Sequence, residues 1–386
     1  TDLTGKTPLP PKWSFGLWMS RNSYRTQSEM IETAEKLREE NYPCDVLHLD
    51  ADWFEEELRC DFEFAEDDFP EPKKLVDRLK ELGFQMSIWQ LPYIHQSTSI
   101  YEEAKEKGYF EQGSDPANMD GIIDISNPEA KKWYEEKLQN LLELGIDAIK
   151  VDFGEGIEVD ACYEKYTGKE FHNLYPLLYN QMVFELTQRV HGEDNGIIWA
   201  RSAYAGSQRY PVHWAGDTDS DFPAMASTLK GGLSFGLSGF PFWSHDIGGY
   251  FMTPNDDCYI RWMQLGMFSS HARFHGTSPR EPWHFGEKAI EVYKKFAKIR
   301  YKLIPYIYSE AYHSTQKSIP LMRPLVLAYE EDPNVENIDD QYLFGSNILV
   351  APILTEQNTR RIYLPAGEWL DFWTKEKYQR HQWIEY

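Results

Sequence analysis

The sequence predicts an α/β fold, a (β/α)8 barrel of the TIM type, followed by a small C-terminal antiparallel β appendage. Strand-like and helix-like patterns alternate from Trp13 to about residue 313 and form eight strand–helix units. That number of units over roughly 300 residues is typical of a TIM barrel. No glycine-rich nucleotide turn follows the first strand, which argues against an open doubly wound sheet.

Eight strands are predicted from apolar runs bounded by turn residues. They cover residues 14–20, 45–53, 84–93, 149–155, 196–202, 211–217, 239–247 and 272–276. In the fourth strand an apolar segment leads into Asp152 and stops at Gly154. This pattern is typical of a buried parallel strand that presents a carboxylate at its C-terminal end.

The helices between these strands follow a period near 3.6. They are predicted near residues 28–41, 71–82, 128–144, 174–190, 223–233, 255–268 and 287–313. In the first helix Ile31, Ala34 and Leu37 share one face. The third has Pro128 at its first position and Gly145 directly after its end, which are common start and stop signals.

The chain is predicted to divide into residues 1–315, the barrel, and residues 316–386, a partial C-terminal β domain. In the second part short apolar segments are separated by Asn, Pro and Gly, as in antiparallel strands. Residues 1–13 are polar and rich in proline and are expected to be a linker. The chain is therefore expected to be a piece of a longer protein.

The composition favours a neutral or cationic small-molecule ligand. With 62 acidic against 39 basic residues the formal charge is −23, which repels nucleic acid and anionic membranes. The 13 Trp and 24 Tyr residues are enough to fill a core and to line a cleft with rings that stack on sugars. The four cysteines have neither CxxC nor metal-ligand spacing, which predicts free thiols in a reducing, cytoplasmic compartment.

Carboxylates, Trp, Arg or His follow seven successive predicted strands at the point where each strand ends. Such residues are not needed for packing at so many strand ends, and in a TIM barrel these ends form the active-site face. The residues are Asp50, Asp52 and Trp53; Trp89; Lys150, Asp152 and Glu155; Trp199 and Arg201; His213, Trp214 and Asp217; Trp243, His245 and Asp246; and Arg273 and His275.

Glycoside hydrolysis is the chemistry that matches this set. It needs one carboxylate as nucleophile or base and a second carboxyl held protonated as acid. Asp152 is predicted as the nucleophile, because Lys150 lies two residues earlier on the same face of the strand and keeps a neighbouring carboxylate ionised. Asp217 is predicted as the acid, because the ring of Trp214 can raise the pKa of its carboxyl.

Two rival classes are considered. A metal-dependent barrel hydrolase would need a ligand cluster, but no HxH pair follows the first strand, and His271 and His275 lie at a strand entrance where their spacing does not align them. No metal and no cofactor are therefore expected. A sugar-binding or inactive barrel would need the nucleophile or the acid to be missing, yet both aspartates are present.

Five segments, in the same order along the chain, resemble glycoside hydrolase family 31. They are residues 150–155, 199–202, 212–217, 231–234 and 242–249, and the resemblance extends over residues 13–373. The KxDFGE form of the nucleophile motif is most similar to the α-xylosidase branch, whereas many α-glucosidases of the family have a DMNE-type motif.

The resemblance implies a retaining α-glycoside hydrolase that removes a sugar, with α-xylose favoured, from the non-reducing end of an oligosaccharide or small α-glycoside. Asp152 would form a covalent glycosyl-aspartyl intermediate, and Asp217 would protonate the leaving oxygen and then activate water. The resemblance also implies substrate-binding residues. Asp50, Arg201 and His275 would bind hydroxyls of the sugar whose bond is cleaved. Trp89, Trp214 and Tyr250 would form walls of its pocket, and Lys150 would lie beside the nucleophile.

Two departures from the family pattern keep alternatives open. The N-terminal β-sandwich that usually contributes to the active-site rim is absent from this chain, so an inactive or sugar-binding fragment is one alternative. The second strand continues from Asp50 to Ala51 and Asp52, which is closer to the α-glucosidase pattern, so an α-glucosidase is the other.

Further expectations concern supporting residues and partners. Asp246 is interpreted as either a structural residue or a sugar contact, and Glu155 as a partner of the catalytic groups. The substrate is the expected partner, and binding to nucleic acid or to a membrane is not expected. Association of the chain into a homo-oligomer is left open.

Overall fold

The computed structural model describes residues 2–113 and 120–386. The helices of these residues are α1 (Gln27–Glu39), α2 (Pro72–Glu81), α3 (Tyr101–Glu106), α4 (Pro128–Glu143), α5 (Gly168–His191), α6 (Phe222–Leu237), α7 (Asp256–Gly266), α8 (Gly286–Lys317) and α9 (Leu325–Ala328). The strands are β1 (Leu17–Arg21), β2 (Val46–Leu49), β3 (Gln85–Gln90), β4 (Tyr93–His95), β5 (Asp120–Ile122), β6 (Ala148–Val151), β7 (Ile198–Ala200), β8 (His213–Trp214), β9 (Trp243–Ser244), β10 (Asp246–Ile247), β11 (Ala272–Phe274), β12 (Met322–Pro324), β13 (Tyr342–Phe344), β14 (Ile348–Val350), β15 (Arg361–Leu364), β16 (Trp369–Leu370), β17 (Lys377–Tyr378) and β18 (Gln382–Glu385).

A parallel sheet forms the barrel, in the order β10-β11-β1-β2-β3-β6-β7-β8-β9. Only His245 separates β9 from β10, so these two segments are halves of one strand and the sheet closes on itself. The His245 ring lies between this strand and α7, where Trp262 Nε1 donates to its Nδ1 at 3.0 Å. The predicted (β/α)8 barrel is confirmed.

Of the eight predicted strand–helix units, the one between the fifth and sixth strands has no helix, either among the predicted helices or in the structure. Residues 201–212 join β7 to β8 and contain only the short 3₁₀ turn Ser207–Arg209 in place of a helix. Two neighbouring strands of the barrel are thus connected without a helix.

Helix ends follow the local signals of the sequence. Asn127 Oδ1 accepts hydrogen bonds from the first turn of α4, with Pro128 at the first helical position. The start of α5 lies six residues before the predicted one, because Thr167 and Glu170 form a capping box that fixes the helix at Gly168. The strands are shorter than predicted, since β6 ends at Val151 and residues 152–155 lie in the loop that follows.

The C-terminal part consists of antiparallel β-sheets, as predicted. One sheet has the order β12-β13-β14, and two hairpin-like pairs join β15 to β18 and β16 to β17. The long helix α8 contacts it through Tyr306, whose hydroxyl donates to Phe344 O at 2.9 Å, and through a Glu310–Arg323 ion pair of 2.8 Å. Among the helices of the described residues, none has both the length and the apolarity of a membrane span.

Candidate active site

Asp152 follows β6 directly and lies at the mouth of the barrel. Its Oδ2 accepts a hydrogen bond from Trp89 Nε1 at 2.6 Å, and its Oδ1 accepts one from the backbone N–H of Phe153 at 2.8 Å. The next two residues have left-handed φ angles, 55° at Phe153 and 91° at Gly154. The chain therefore turns sharply after Asp152 and leaves its carboxylate facing the barrel mouth.

Lys150 connects Asp152 to a second buried carboxylate. Its Nζ lies 2.8 Å from Asp50 Oδ2 and 3.3 Å from Asp152 Oδ2, and it is 2% exposed. His48 Nε2 also contacts Asp50 Oδ2, at 2.7 Å. Burial by itself would raise the pKa of Asp50, but Lys150 and the nearby histidines His275 and His48 lower that pKa well below its usual range. Asp50 is thus a fixed negative charge beneath the site.

Arg201, at the end of β7, bridges the two predicted catalytic aspartates. Its Nη1 lies 3.1 Å from Asp217 Oδ2 and 3.5 Å from Asp152 Oδ1. Its Nε lies 3.0 Å from Glu155 Oε1. Burial would lower the pKa of this guanidinium, but the surrounding carboxylates raise it, so Arg201 is a permanent cation.

Asp217 is the more accessible of the two aspartates, with 25% of its side chain exposed against 7% for Asp152. Partial burial is the largest influence and raises the pKa of Asp217 above its usual value, although the charge of Arg201 opposes this. The negative charge of Asp152 raises the pKa of Asp217 further. These shifts have the direction that a general acid needs.

Aromatic rings and a histidine complete the walls of the pocket. The Trp214 ring lies 4.9 Å from Lys150 Nζ, and the Trp89 ring is held by its hydrogen bond to Asp152. Tyr250 and His275 lie with their ring centroids 5.4 Å apart, and His275 Nε2 is 3.6 Å from Asp50 Oδ2.

These contacts bring all nine predicted site residues into one connected cluster. Glu155 also joins it through Arg201, whereas three other strand-end residues do not. The ring of His213 faces Phe240 at 5.0 Å, His245 faces α7, and the ring of Trp199 packs on Trp18 at 4.5 Å inside the barrel. Because successive side chains of a strand point to opposite faces, only part of each strand end can reach the mouth.

The site also contains supporting residues that the sequence analysis did not single out. His48 binds Asp50, and its position two residues before Asp50 on the same strand face is a signal that could have identified it. Arg280 is fully buried and its Nη2 donates to Gly249 O and Met252 O, both at 2.8 Å, which holds the loop that carries Tyr250. No local pattern marks Arg280, since its partners are some 30 residues earlier in the chain.

Asp246, for which two interpretations were open, pairs with Arg273 in the barrel interior, and both residues are 1% exposed. Burial raises the pKa of Asp246 to about 6, and Arg273 opposes that rise. The ion pair supports the structural interpretation. Across residues 2–113 and 120–386, no cluster of three or more His, Cys, Asp or Glu side chains has the arrangement of a metal site.

The fold and the site together define a class: a TIM-barrel protein with a carboxylate pair of the kind that glycosidases use. Residues 7–310 match the model of the glycosyl hydrolases family 31 TIM-barrel domain, and residues 318–386 match that of the glycosyl hydrolase family 31 C-terminal domain. The chain therefore belongs to glycoside hydrolase family 31, as the sequence motifs implied.

Relatives within the family include both xylosidases and glucosidases. The chain is 40% identical to an alpha-xylosidase of Emericella nidulans, over 100% of this chain and 50% of that protein. It is 33% identical to alpha-glucosidase 2 of Bacillus thermoamyloliquefaciens, over 97% of this chain and 51% of that protein. A solved GH31 alpha-xylosidase from a soil metagenome, complexed with xylose, superposes with a TM-score of 0.93 at 29% identity, over 99% of this chain and 62% of that one. The chain spans about half the length of the curated relatives it matches.

Proposed function

We propose that this chain is the catalytic part of a retaining α-glycosidase that removes α-xylose from the non-reducing end of its substrate. The observation that carries the proposal is the position of Arg201 between Asp152 and Asp217. One atom, Arg201 Nη1, lies 3.5 Å from Asp152 Oδ1 and 3.1 Å from Asp217 Oδ2, so these two oxygens are at most about 6.6 Å apart. Retaining pairs are separated by about 5–5.5 Å and inverting pairs by about 6.5–9.5 Å, so this upper limit leaves only the lower edge of the inverting range and supports retention.

In the first step an oxygen of Asp152 attacks the anomeric carbon. The bond from that carbon to the leaving oxygen breaks, and Asp217 transfers its proton to this oxygen. Trp89 and the backbone N–H of Phe153 hold the attacking carboxylate in place. The raised pKa of Asp217 supports its role as the proton donor.

In the second step water attacks the anomeric carbon of the glycosyl-aspartyl ester. Asp217, now ionised, takes a proton from the water, and the bond to Asp152 breaks. The sugar is released with its original anomeric configuration. Asp50, as a buried anion, accepts hydrogen bonds from sugar hydroxyls.

Two observations support xylose as the sugar. The nucleophile motif over residues 150–155 has the form found in the α-xylosidase branch, and the xylosidase relative is more similar than the glucosidase, 40% against 33% identity. An α-glucosidase is the second candidate, favoured by Asp52 two residues after Asp50. The expected substrate is an oligosaccharide or a small α-glycoside. A cytoplasmic location and a homo-oligomeric state stay predictions.

The test compares p-nitrophenyl α-xyloside, p-nitrophenyl α-glucoside and α-xylosyl fluoride as substrates. Asp152→Ala should abolish turnover of all three. Asp217→Ala should lower turnover of the nitrophenyl xyloside about 10²- to 10⁴-fold, the range for general acid–base catalysis, and lower turnover of the fluoride less, because fluoride leaves without a proton. Asp257→Ala, at an exposed position on α7, is the matched control and should keep wild-type rates.

The outcomes separate the candidates. A higher kcat/KM on the glucoside would replace α-xylosidase by α-glucosidase. A folded wild-type protein that binds xylose but hydrolyses none of the three substrates would contradict the enzymatic function and favour a sugar-binding role. Turnover that survives Asp152→Ala would contradict the assignment of the nucleophile.

A further inference from the structure

Asn22, the residue directly after β1, connects three loops at the mouth of the barrel. Its backbone N–H donates to Gly276 O at 2.9 Å, in the loop after β11. Its side-chain Nδ2 donates to Glu57 Oε1 at 2.8 Å, in the loop after β2. Its Oδ1 accepts a hydrogen bond from the hydroxyl of Tyr250 at 2.7 Å, in the loop after β10. One side chain is thus shared by segments that lie far apart in the sequence.

The partners of Asn22 fix the orientation of its amide. An ionised carboxylate only accepts hydrogen bonds, so the NH₂ group of the amide must face Glu57. The amide oxygen then faces Tyr250, whose hydroxyl must be the donor. Burial raises the pKa of Tyr250, and the negative charges of Asp50 and Asp217 raise it further, so the hydroxyl keeps its proton at neutral pH. The hydrogen bond from Tyr250 to Asn22 therefore has only one possible direction.

The main chain of Tyr250 is held without Asn22, but its side chain is not. Tyr250 N donates to Thr218 O at 2.8 Å, and Thr277 N donates to Tyr250 O at 2.7 Å. These bonds fix the backbone and leave two side-chain torsions free to rotate. The side chain is only half-buried, so packing does not enclose the ring. The bond to Asn22 holds the far end of this ring.

The Tyr250 ring lies against groups that the proposed function assigns to the sugar. Its centroid is 5.4 Å from that of the His275 ring, and the two planes are 30° apart. His275 Nε2 in turn lies 3.6 Å from Asp50 Oδ2. A rotation of the Tyr250 side chain would therefore remove a wall of the sugar pocket.

We propose that Asn22 is a positioning residue for the sugar pocket, because it holds the Tyr250 ring in the orientation in which the ring forms a wall of that pocket. The inference rests on the proposed function, in which the pocket beside Asp50 and Asp152 holds the sugar that is released. Asn22 acts on this sugar through Tyr250. A wall contacts the sugar in the ground state and in the transition state alike, so Asn22 contributes to binding more than to the chemical step.

The first experiment measures KM and kcat separately in Asn22→Ala. The KM for p-nitrophenyl α-xyloside and the Kd for xylose should both rise about three- to tenfold, the fold-change that corresponds to one hydrogen bond between neutral groups. The kcat should change less than about twofold, because the loss of uniform binding affects KM alone. A merely structural role would instead reduce the folded fraction, and with it the apparent kcat, while KM and Kd would stay unchanged.

A double-mutant cycle tests whether Asn22 acts through Tyr250. Tyr250→Phe keeps the ring and removes the hydroxyl, so it should raise KM and Kd as Asn22→Ala does. Both changes break the same hydrogen bond, so the double variant should match the single variants within about twofold. Effects that multiply in the double variant would overturn the inference.

An exchange of two side chains provides a rescue. Asn22→Asp together with Glu57→Gln keeps an acceptor for the Tyr250 hydroxyl and reverses the direction of the hydrogen bond between positions 22 and 57. The net charge stays the same. This exchange variant should have a KM within about twofold of wild type. A KM raised as far as in Asn22→Ala would contradict the role given to the amide oxygen.

Asn140→Ala is the matched control. It removes the same side chain from an exposed position near the C-terminal end of α4, which leads to the start of β6 and so lies opposite the mouth. Its KM and Kd should stay at the wild-type values. Wild-type KM and Kd in folded Asn22→Ala would overturn the inference while leaving the proposed function intact. A wild-type protein that binds xylose but hydrolyses no α-xyloside would instead reject the proposed function, and the xylose Kd would then test Asn22 alone.

Discussion

The guanidinium of Arg201 is held on more than one side. Its Nε contacts Glu155 Oε1 at 3.0 Å, and its central carbon lies 4.7 Å from the centroid of the Phe153 ring. Nη1 is thereby directed at Asp152 and Asp217. Glu155 is thus a positioning residue for Arg201, in agreement with its interpretation from the sequence as a partner of the catalytic groups.

Glu155→Gln tests this role. The Glu155 side chain is 46% exposed, so solvent screens the ion pair and its loss should cost less than about 1 kcal/mol. We therefore expect kcat/KM for p-nitrophenyl α-xyloside to fall about two- to fivefold. Glu158→Gln, an exposed carboxylate three residues later in the same loop, is the control. A loss beyond a hundredfold would make Glu155 a catalytic group, and no loss would mean that Arg201 is held without it.

At the scale of elements, the loop after β6 depends on a side chain from a different part of the barrel. Tyr93, in β4, accepts hydrogen bonds through its hydroxyl oxygen from Gly154 N at 3.0 Å and Gly156 N at 2.9 Å. Ser202 Oγ donates to Phe153 O at 2.7 Å. These contacts hold the left-handed turn that orients Asp152.

Tyr93→Phe should therefore weaken both stability and turnover. The Gly154 N–H is buried and would lose its acceptor, at a cost of about 1–3 kcal/mol in the free energy of unfolding. Urea unfolding measures this, and kcat should fall because Asp152 is less well oriented. In Tyr163→Phe, the control, the removed hydroxyl is buried without a partner among the described residues, so stability should not fall. Equal losses in the two variants would contradict the role given to Tyr93.

At the scale of the whole molecule, five histidines are buried at no more than 2% exposure. They are His48, His213, His245, His271 and His275. Burial lowers the pKa of His48 to about 4 and the pKa of His213 and His245 to about 3. Burial likewise lowers the pKa of His271 and His275 well below the usual range.

These histidines make stability fall as the pH falls from 7 to 5. The unfolded chain binds protons near pH 6.5, whereas the folded protein leaves these rings neutral until about pH 4, so acid favours unfolding throughout this interval. Asp246, with a pKa raised to about 6, acts in the opposite sense. Burial also raises the pKa of Asp217, Asp45, Asp61 and Asp147, which offset part of the histidine effect. In urea unfolding, His213→Leu should reduce the slope of stability against pH by up to about 1.4 kcal/mol per pH unit. Stability that is constant from pH 7 to 5 would contradict this account.

The sequence predicted the barrel and the cluster of nine site residues, because parallel strands align their C-terminal ends and the motifs mark those ends. It placed no helix between the fifth and sixth predicted strands, and there the structure has only a 3₁₀ turn. His213 and His245, which lie at strand ends but were not among the predicted site residues, face away from the mouth.

Contacts between residues that are far apart in the sequence could not be predicted from local patterns. Arg280 binds carbonyls some 30 residues earlier, and Tyr93 binds amides some 60 residues later, so neither role leaves a local pattern. The division into residues 1–315 and 316–386 stays a prediction. We propose that it falls at the C-terminal end of α8, the helix that contacts the barrel through Tyr301 and the C-terminal part through Tyr306 and Glu310.

The covalent intermediate on Asp152 is the most direct test of the account. The protein would be incubated with 5-fluoro-α-xylosyl fluoride, whose electron-withdrawing substituent slows both steps while the fluoride still leaves. Mass spectrometry of the intact protein and of its peptides should show one fluoroxylosyl group per chain, attached at Asp152. A label on Asp217, or no label on a protein that hydrolyses α-xylosides, would contradict the proposed mechanism.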